Sequence, residues 1–430
     1  MKKFVIIFNQ FHDIATGASI QRVHDTATAE LTKVCEECQK LMGELVGPVE
    51  HRGKKQTVFN TLSHDREVCG VTIPAQGSAE IDHSASGVQA RYLKDAGVYE
   101  LSNRHMVCRI DKKGHLVSVK RPGKDQEYLA GKGNRFLLFK DVNTCYDAWE
   151  LGSMYEHLPV ELDDDVRITL HTGLYRAELR LEGRVHDSAF TQEIYLTGDS
   201  KSLGFTTFVD WQEKHKMLKV AFPVNAYANE AFHETQFGYA KFPVHRSYQT
   251  DADRYEVCNH RYTALTDGAH GAAVLNNGKY GVNVMENEIR LTLLKSAMMP
   301  DQTADRGAQH FTYAFYPFDG AFQDSDVVHQ AQELNDSMIV IGKGEPNAPI
   351  FLGNTPNIIV ETVKPADTME NALLVRAYEA MGKQTDCAFT VHPQVKSVVE
   401  TDMLEENGQP VDVGRIHFGA FEIKTFILHL

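Results

Sequence analysis

Near the amino end, apolar residues recur at a helical period. From Ile20 they run Ile20, Val23, Ala27, Leu31, Val34, Cys38, Leu41 and Leu45, one stripe at about 3.6 residues per turn. Thr16 or Ser19 can cap the start, and Gly43 or Gly47 with Pro48 can stop the helix. Residues 1–46 are the strongly helical part of the sequence. A lone helix with one apolar stripe needs something to pack on, and Phe4 to Phe8 is a short partner. The pattern therefore implies a larger helical bundle whose other members are not in this chain.

After Pro48 the period changes to two. Short strands are expected at 57–59, 68–73, 105–110 and 115–120, the last two joined as a hairpin by Asp111-Lys112-Lys113-Gly114. Longer ones follow at 166–171, 174–181, 191–196 and 203–211, rich in β-branched and aromatic residues. Further strands are expected at 218–224, 272–275, 280–284, 289–294 and 311–316, with Asn276-Asn277-Gly278 as a hairpin turn. A polar link, Gly342-Lys343-Gly344-Glu345-Pro346-Asn347, precedes a last set at 358–363, 373–378, 388–391, 398–401 and 421–428. No strand–helix alternation and no glycine-rich phosphate loop is present, which argues against a nucleotide-binding α/β domain. The expected fold is mainly β: a short helical-bundle remnant, then β-sandwich domains, a large central supersandwich and a small carboxy-terminal sandwich. The expected units are 1–47, 48–125, 126–348 and 349–430.

Composition narrows the function classes. A chain of 430 residues is too long for one ordinary core, and 42% hydrophobic with 24% charged residues excludes whole-chain disorder. A net charge of −14 argues against a nucleic-acid or anionic-membrane surface and suits a neutral substrate such as a sugar. The start, Met-Lys-Lys-Phe-Val-Ile-Ile-Phe, imitates a signal peptide, but the apolar run is too short and lacks a small-residue cleavage site. No run approaches a membrane span. The seven cysteines are scattered; Cys35 and Cys38 read as core-facing helix residues rather than redox or zinc ligands. A cytoplasmic protein is expected.

The candidate chemistry lies in Asn9-Gln10-Phe11-His12-Asp13-Ile14, just before the long helix. A neutral imidazole is a good zinc ligand, and an adjacent carboxylate can orient a polar substrate. The same pair can equally cap or bridge a helix end. Asp301 and Asp305, four residues apart in a Pro- and Gly-containing loop, can hold a cation or a sugar hydroxyl, or can simply order the loop. Trp211 reads as a sandwich core residue, and Glu213-Lys214-His215-Lys216 as a solvated strand end or turn.

The string Asn9 to Ile14 resembles a motif of glycoside hydrolase family 38, the retaining, zinc-dependent α-mannosidases. The likeness continues in order through Phe59-Asn60-Thr61-Leu62-Ser63, Asp141 with Tyr146-Asp147-Ala148-Trp149-Glu150, and Val209-Asp210-Trp211 to Val220. It runs on through Thr235-Gln236-Phe237-Gly238-Tyr239, Pro243-Val244-His245-Arg246, Asn277-Gly278-Lys279-Tyr280-Gly281 and Leu293-Leu294-Lys295. Then come Pro300-Asp301 to Gly307, Phe311-Thr312-Tyr313-Ala314, Glu361-Thr362-Val363-Lys364, Val375 to Glu379 and Phe421 to Thr425. It covers essentially the whole chain and is nearest the bacterial and vacuolar branch. Thr61 stands where that family has Pro, and Ile14-Ala15-Thr16-Gly17 where Ile-Leu-Pro-Gly is common.

The resemblance implies zinc as cofactor, with His12 as one ligand and three more in an amino-terminal catalytic domain. It implies that Asp13 accepts hydrogen bonds from the sugar, and it makes Asp301, Asp305, Lys295 and Asp147 candidate substrate-binding residues. It implies no catalytic residue in this chain, since the family's nucleophile and acid/base sit in that other domain. The expected function is the carboxy-terminal portion of an α-mannosidase acting on terminal α-mannosides, inactive in isolation. The alternative is a non-catalytic β-sandwich module for carbohydrate binding or assembly. Expected partners are a mannoside, the amino-terminal catalytic half and, through the apolar stripe, a second copy, with no nucleic acid and no membrane.

Overall fold

The computed structural model describes residues 2–47, 54–84, 87–143, 145–163, 165–342 and 349–430. Pro48 and most of the polar link at 342–347 lie outside the described residues. Two helices open the chain: α1 (Lys2–Phe8) and the 26-residue α2 (Gln21–Val46). The turn between them is held by Asn9, whose buried amide donates to Val5 O and to Glu30 Oε2 of α2, each at 2.9 Å. Gly47, at φ 70°, ends α2 as expected, its N–H reaching Gly43 O. The start differs: Ile20 occupies the cap position without a side-chain bond, and the Thr16 hydroxyl donates instead to His12 O at 2.6 Å.

The stripe of α2 is only narrowly covered. Ala27 and Val34 are buried, whereas Leu41, Met42 and Leu45 are exposed, as are Phe4, Ile7, Phe8 and Phe11 before them. Cys35 and Cys38 are exposed too, which corrects their reading as core-facing residues: nothing among the described residues packs on that side of the helix. No helix of the described residues is long and apolar enough to cross a membrane.

Among the described residues the β region is antiparallel in all its strand pairings. A nine-stranded sheet runs in the order Val166–Thr172, Arg176–Val185, Ser188–Thr197, Leu203–Trp211, Gly307–Asp319, His270–Asn276, Tyr262–Thr266, Glu230–Thr235, Gly238–Pro243. A six-stranded sheet faces it, with Arg135–Lys140, Lys216–Pro223 and Glu288–Lys295 at its centre. Strand alternation aims Leu179, Ile194, Phe205, Trp211 and Phe315 of the first sheet at Leu138, Val220, Phe222 and Leu291 of the second. Rings stack within and across this core: Phe205 on its cross-strand partner Tyr313 at 5.1 Å, and Phe222 of one sheet on Phe315 of the other at 5.5 Å between centroids. Trp211 is fully buried, as its sequence setting predicts. Inside the core Gln192 donates to Thr207 Oγ1 and Tyr313 Oη, Tyr313 donates to Asn134, and Asn134 donates back to Gln192 Oε1. Such a closed circuit satisfies each buried polar group.

The last unit is a five-stranded sheet, Ile358–Pro365, Ala372–Glu379, Ile423–His429, Ser397–Thr401 and Gln409–Pro410, over its own core of Phe351, Phe389, Phe418 and Phe426. A helix, Val327–Asn335, absent from the sequence expectations, packs Val327, Val328 and Ala331 against the nine-stranded sheet. Strand Lys55–Phe59 pairs with Ile339–Ile341, so the chain closes back on its early β region.

His233, on the strand Glu230–Thr235, is 1% exposed; burial pushes its imidazole down to about 4, and its Nδ1 shares a hydrogen bond with Thr263 Oγ1. A histidine held neutral contributes stability that is whole above its unfolded pKa near 6.5 and is lost as pH falls towards 4. We expect about 3 kcal/mol to be lost from this group between pH 7 and pH 4. Denaturant melts over that range should show it, and His233→Gln should flatten the slope.

Candidate functional site

The predicted residues gather at one rim, where the α1–α2 turn meets two loops of the six-stranded sheet. His12 is two-thirds exposed, with its Nε2 3.4 Å from Asp13 Oδ1. Its ring lies 4.2 Å from the Phe11 ring and 6.2 Å, edge-on, from Trp149. Asp13 Oδ1 is buried yet has no hydrogen-bond partner. His12 Nε2 makes an ion-pair contact with it at 3.4 Å but no hydrogen bond, which leaves it able to accept one.

Trp149 belongs to the loop that carries Asp147. That loop is pinned to the segment after the strand Glu288–Lys295. Asp147 is buried; its Oδ2 accepts from Met298 N at 2.5 Å and stands 3.6 Å from His215 Nδ1, while its Oδ1 is left unpartnered. Lys295 Nζ donates to Asp147 O at 2.5 Å and lies 3.2 Å from Asp141 Oδ2. Burial pushes the Asp141 carboxyl up, and the Lys295 charge pulls it back. Asn143 ties the two ends of the loop, its amide donating to Glu150 O at 2.8 Å. Lys295 and Asp147 are thus brought together, and most of their hydrogen bonds hold the loop that presents Trp149.

Asp301 closes the rim against α2. Its Oδ1 accepts the N–H and hydroxyl of Thr303, each at 2.8 Å, and its Oδ2 is 3.4 Å from His24 Nδ1. Burial opposes its charge, but the Thr303 donors and His24 hold the carboxyl below its usual range. Asp305 sits at the surface in a left-handed conformation, φ 59°. The protein crowds its other side and pushes its carboxyl up, against the pull of Lys279 and Lys295. Of the two aspartates, Asp301 therefore orders the loop and docks the helix, whereas Asp305 keeps an open side.

Three residues outside the predicted set complete the rim. His24 is one helical turn beyond Ile20, and its partner is 277 residues away, so no local signal marks it. His215 carries φ 46° where the chain crosses from Leu203–Trp211 of the nine-stranded sheet to Lys216–Pro223 of the six-stranded one. Trp149 is 59% exposed, and an exposed tryptophan beside polar groups is the one signal the sequence motif held but left unassigned.

Zinc takes about four N, S or O donors. Among the described residues this rim offers zinc one donor, the exposed His12 imidazole, while the Asp13 oxygen beside it is free to accept a hydroxyl. An imidazole turned to solvent is a donor that zinc can use, and by itself it is one ligand of about four. The described residues hold one cluster of three possible ligands, His186, Asp187 and Glu213, just past the end of the strand that carries Trp211. There Glu213 is 1% exposed and already engaged: it accepts Lys216 Nζ at 2.7 Å, Asp187 N at 2.8 Å and Ser188 Oγ at 3.0 Å. A cation would have to displace that ammonium. The burial of Glu213 corrects the solvated reading at that residue, while Lys214 and His215 are exposed as expected.

Fold and rim together describe a multi-domain β-sandwich protein with an imidazole and an indole exposed at one edge. Comparison with known proteins gives the family. Residues 101–303 match the glycosyl hydrolases family 38 C-terminal domain, 357–426 its C-terminal beta sandwich domain, and 3–47 the alpha mannosidase middle domain. The chain belongs to glycoside hydrolase family 38. It is 30% identical to alpha-mannosidase 2C1 of Mus musculus, over 99% of this chain and 45% of the relative. It is 26% identical to an alpha-mannosidase of Saccharomyces cerevisiae, over 99% of this chain and 43% of that protein. The chain thus spans less than half the length of these curated relatives. The crystal structure of an alpha-mannosidase from Enterococcus faecalis V583 superposes with TM-score 0.75 at 14% identity, covering 98% of this chain and 62% of that one, which shows a shared fold.

Proposed function

We propose that this chain forms the carboxy-terminal side of the active centre of a zinc-dependent, retaining α-mannosidase acting on terminal α-mannosides. The observation that carries the reading is the His12–Asp13 pair, with its orphaned buried oxygen, set beside the open face of Trp149. His12 would ligate zinc, and Asp13 would accept a sugar hydroxyl on that oxygen. Trp149 would cover the apolar face of the pyranose, and the Asp147–Lys295–Asp141 cluster would keep Trp149 in place. When bound, zinc supplies Lewis-acid and template chemistry towards vicinal hydroxyls. The two carboxyl groups that retention needs, nucleophile and acid/base, would come from an amino-terminal catalytic half. The exposed apolar residues of α1 and α2 offer that half a packing face. Seven free thiols support a reducing, cytoplasmic setting.

The test is cleavage of a chromogenic α-mannoside by this chain combined with a family 38 amino-terminal catalytic domain. Activity is expected with both parts, lost on chelation and restored by zinc, and none is expected from the 430-residue chain alone. Robust turnover by that chain alone, or none from the combination, overturns the proposal.

A further inference from the structure

Several stretches that the His12 rim leaves unused meet at a second place. The turn Thr235-Gln236-Phe237, the pair His260-Arg261, the turn at Gly278 to Tyr280, and Glu361 with Tyr378 of the carboxy-terminal sandwich enclose a cleft of about 350 Å³. That is the size of a small-molecule site. We propose that this cleft binds a neutral hexopyranoside, as a carbohydrate subsite separate from the one built on His12.

Charge selects the ligand class. Arg261 is the cation of the cleft, and it is already neutralised. Its Nη2 donates to Glu234 Oε1 at 2.7 Å, its Nε to the same oxygen at 3.0 Å, and its backbone N–H to Oε2 at 2.6 Å. Glu234 is 3% exposed, so this pair is fixed and leaves little attraction for an anion. Glu361 adds a second carboxylate on the far wall. It makes no side-chain hydrogen bond among the described residues, and it faces Arg261, Glu234 and Asp336. One free carboxylate and the Gln236 amide are too few oxygen donors to cage a hard metal cation, which takes about six or more. What remains is a ligand that donates hydrogen bonds and carries no charge.

The backbone shows how Glu361 reaches the cleft. The strand Ile358–Pro365 pairs regularly with Ala372–Glu379 except between Val360 and Thr362, where the register shifts. Glu361 is the extra residue of a bulge, a device that re-aims one side chain. Val360 stays in the core of the carboxy-terminal sandwich, while Glu361 turns towards the large domain beside Tyr378. Crowding there raises its carboxyl above the usual range, as expected of an acid held without donors.

The other walls supply what a pyranose needs. Tyr280 is 55% exposed; its ring lies 5.5 Å from that of His260, tilted at 54°, and leaves a large open surface for the C–H face of a sugar. The Gln236 side chain, exposed in the turn and without a hydrogen bond of its own among the described residues, adds a donor and an acceptor. A carboxylate and an amide opposite an open aromatic ring can read two neighbouring hydroxyls and one apolar face together.

The inference does not depend on mannosidase activity, and the test keeps the two apart. Saturation-transfer NMR with methyl α-mannoside and methyl α-glucoside on the 430-residue chain should show saturable binding of at least one. Tyr280→Ala and Glu361→Gln should each weaken it about tenfold, by loss of stacking and of a charge-assisted bond. Both side chains lie at the surface, so melting temperatures should stay unchanged. His12→Ala should leave this binding intact. Absence of saturable binding of both glycosides overturns the inference, as does binding indifferent to both cleft variants or abolished by His12→Ala.

Discussion

Replacing His12 by alanine is expected to cut zinc-dependent cleavage of an α-mannoside by about 10²–10³-fold once the chain is combined with a family 38 catalytic domain. His12 is two-thirds exposed and its Nε2 lies 3.4 Å from the Asp13 carboxylate, in the motif that names it as a ligand. No structural role competes for its ring: its contacts are Phe11, Asp13 and the edge of Trp149. The melting temperature should therefore not move, which separates a lost ligand from a lost fold. Zinc content, measured on the combined protein, should fall with activity. Asp13→Asn should act differently. It keeps an acceptor but removes its charge, so the loss should be about tenfold and should fall mainly on KM. Full activity in the His12→Ala protein would remove His12 from the metal site.

The second large effect concerns stability. Lys219, on the central strand Lys216–Pro223, has no exposed surface. Its ammonium pairs with Glu256, donates to Thr292 Oγ1 at 2.7 Å and lies 5.6 Å from the centre of the Tyr155 ring. Tyr155 donates to the same carboxylate. Burial lowers the Lys219 pKa, and Glu256 opposes the shift. Lys219→Ala is expected to destabilise the protein by about 3–5 kcal/mol, because Glu256 loses its counter-ion and the Thr292 hydroxyl its donor beneath Tyr155, on the sheet face turned away from the main core. Lys219→Met with Glu256→Gln should recover most of that, since a matched apolar or neutral replacement removes the stranded charge. Urea unfolding measures both. A cost below about 1 kcal/mol for Lys219→Ala would mean that water reaches the carboxylate.

The difference between what was and was not legible in the sequence has physical causes. Period-two patterning placed the strands around Leu203–Trp211 and Glu288–Lys295 because both are buried on a sheet face. The helix Val327–Asn335 escaped because Gln330 and Gln332 are buried polar residues, which blur a helical stripe. The stripe of α2 is real in its period, but only Ala27 and Val34 are covered, so a correct periodicity overstated the burial. His12 and Asp13 stand in a contiguous motif, which is why the sequence offers them as candidates. It does not offer His24, because its meaning comes from Asp301 across the chain. Glu213 was misread for the same reason: the Asp187 and Ser188 donors that bury it lie on another strand.

The register around Glu361 also bears on how such a cleft is gained or lost. Val360 pairs with Ala377, and Thr362 with the neighbouring Arg376, so the ladder on either side is already in step. Glu361 is a supernumerary residue between them. Removing its single codon would close the ladder, leave every other residue on its present face, and erase only the carboxylate from the cleft. One in-frame deletion can thus silence the cleft, and one insertion can create its acid, without any renegotiation of the sandwich beneath it.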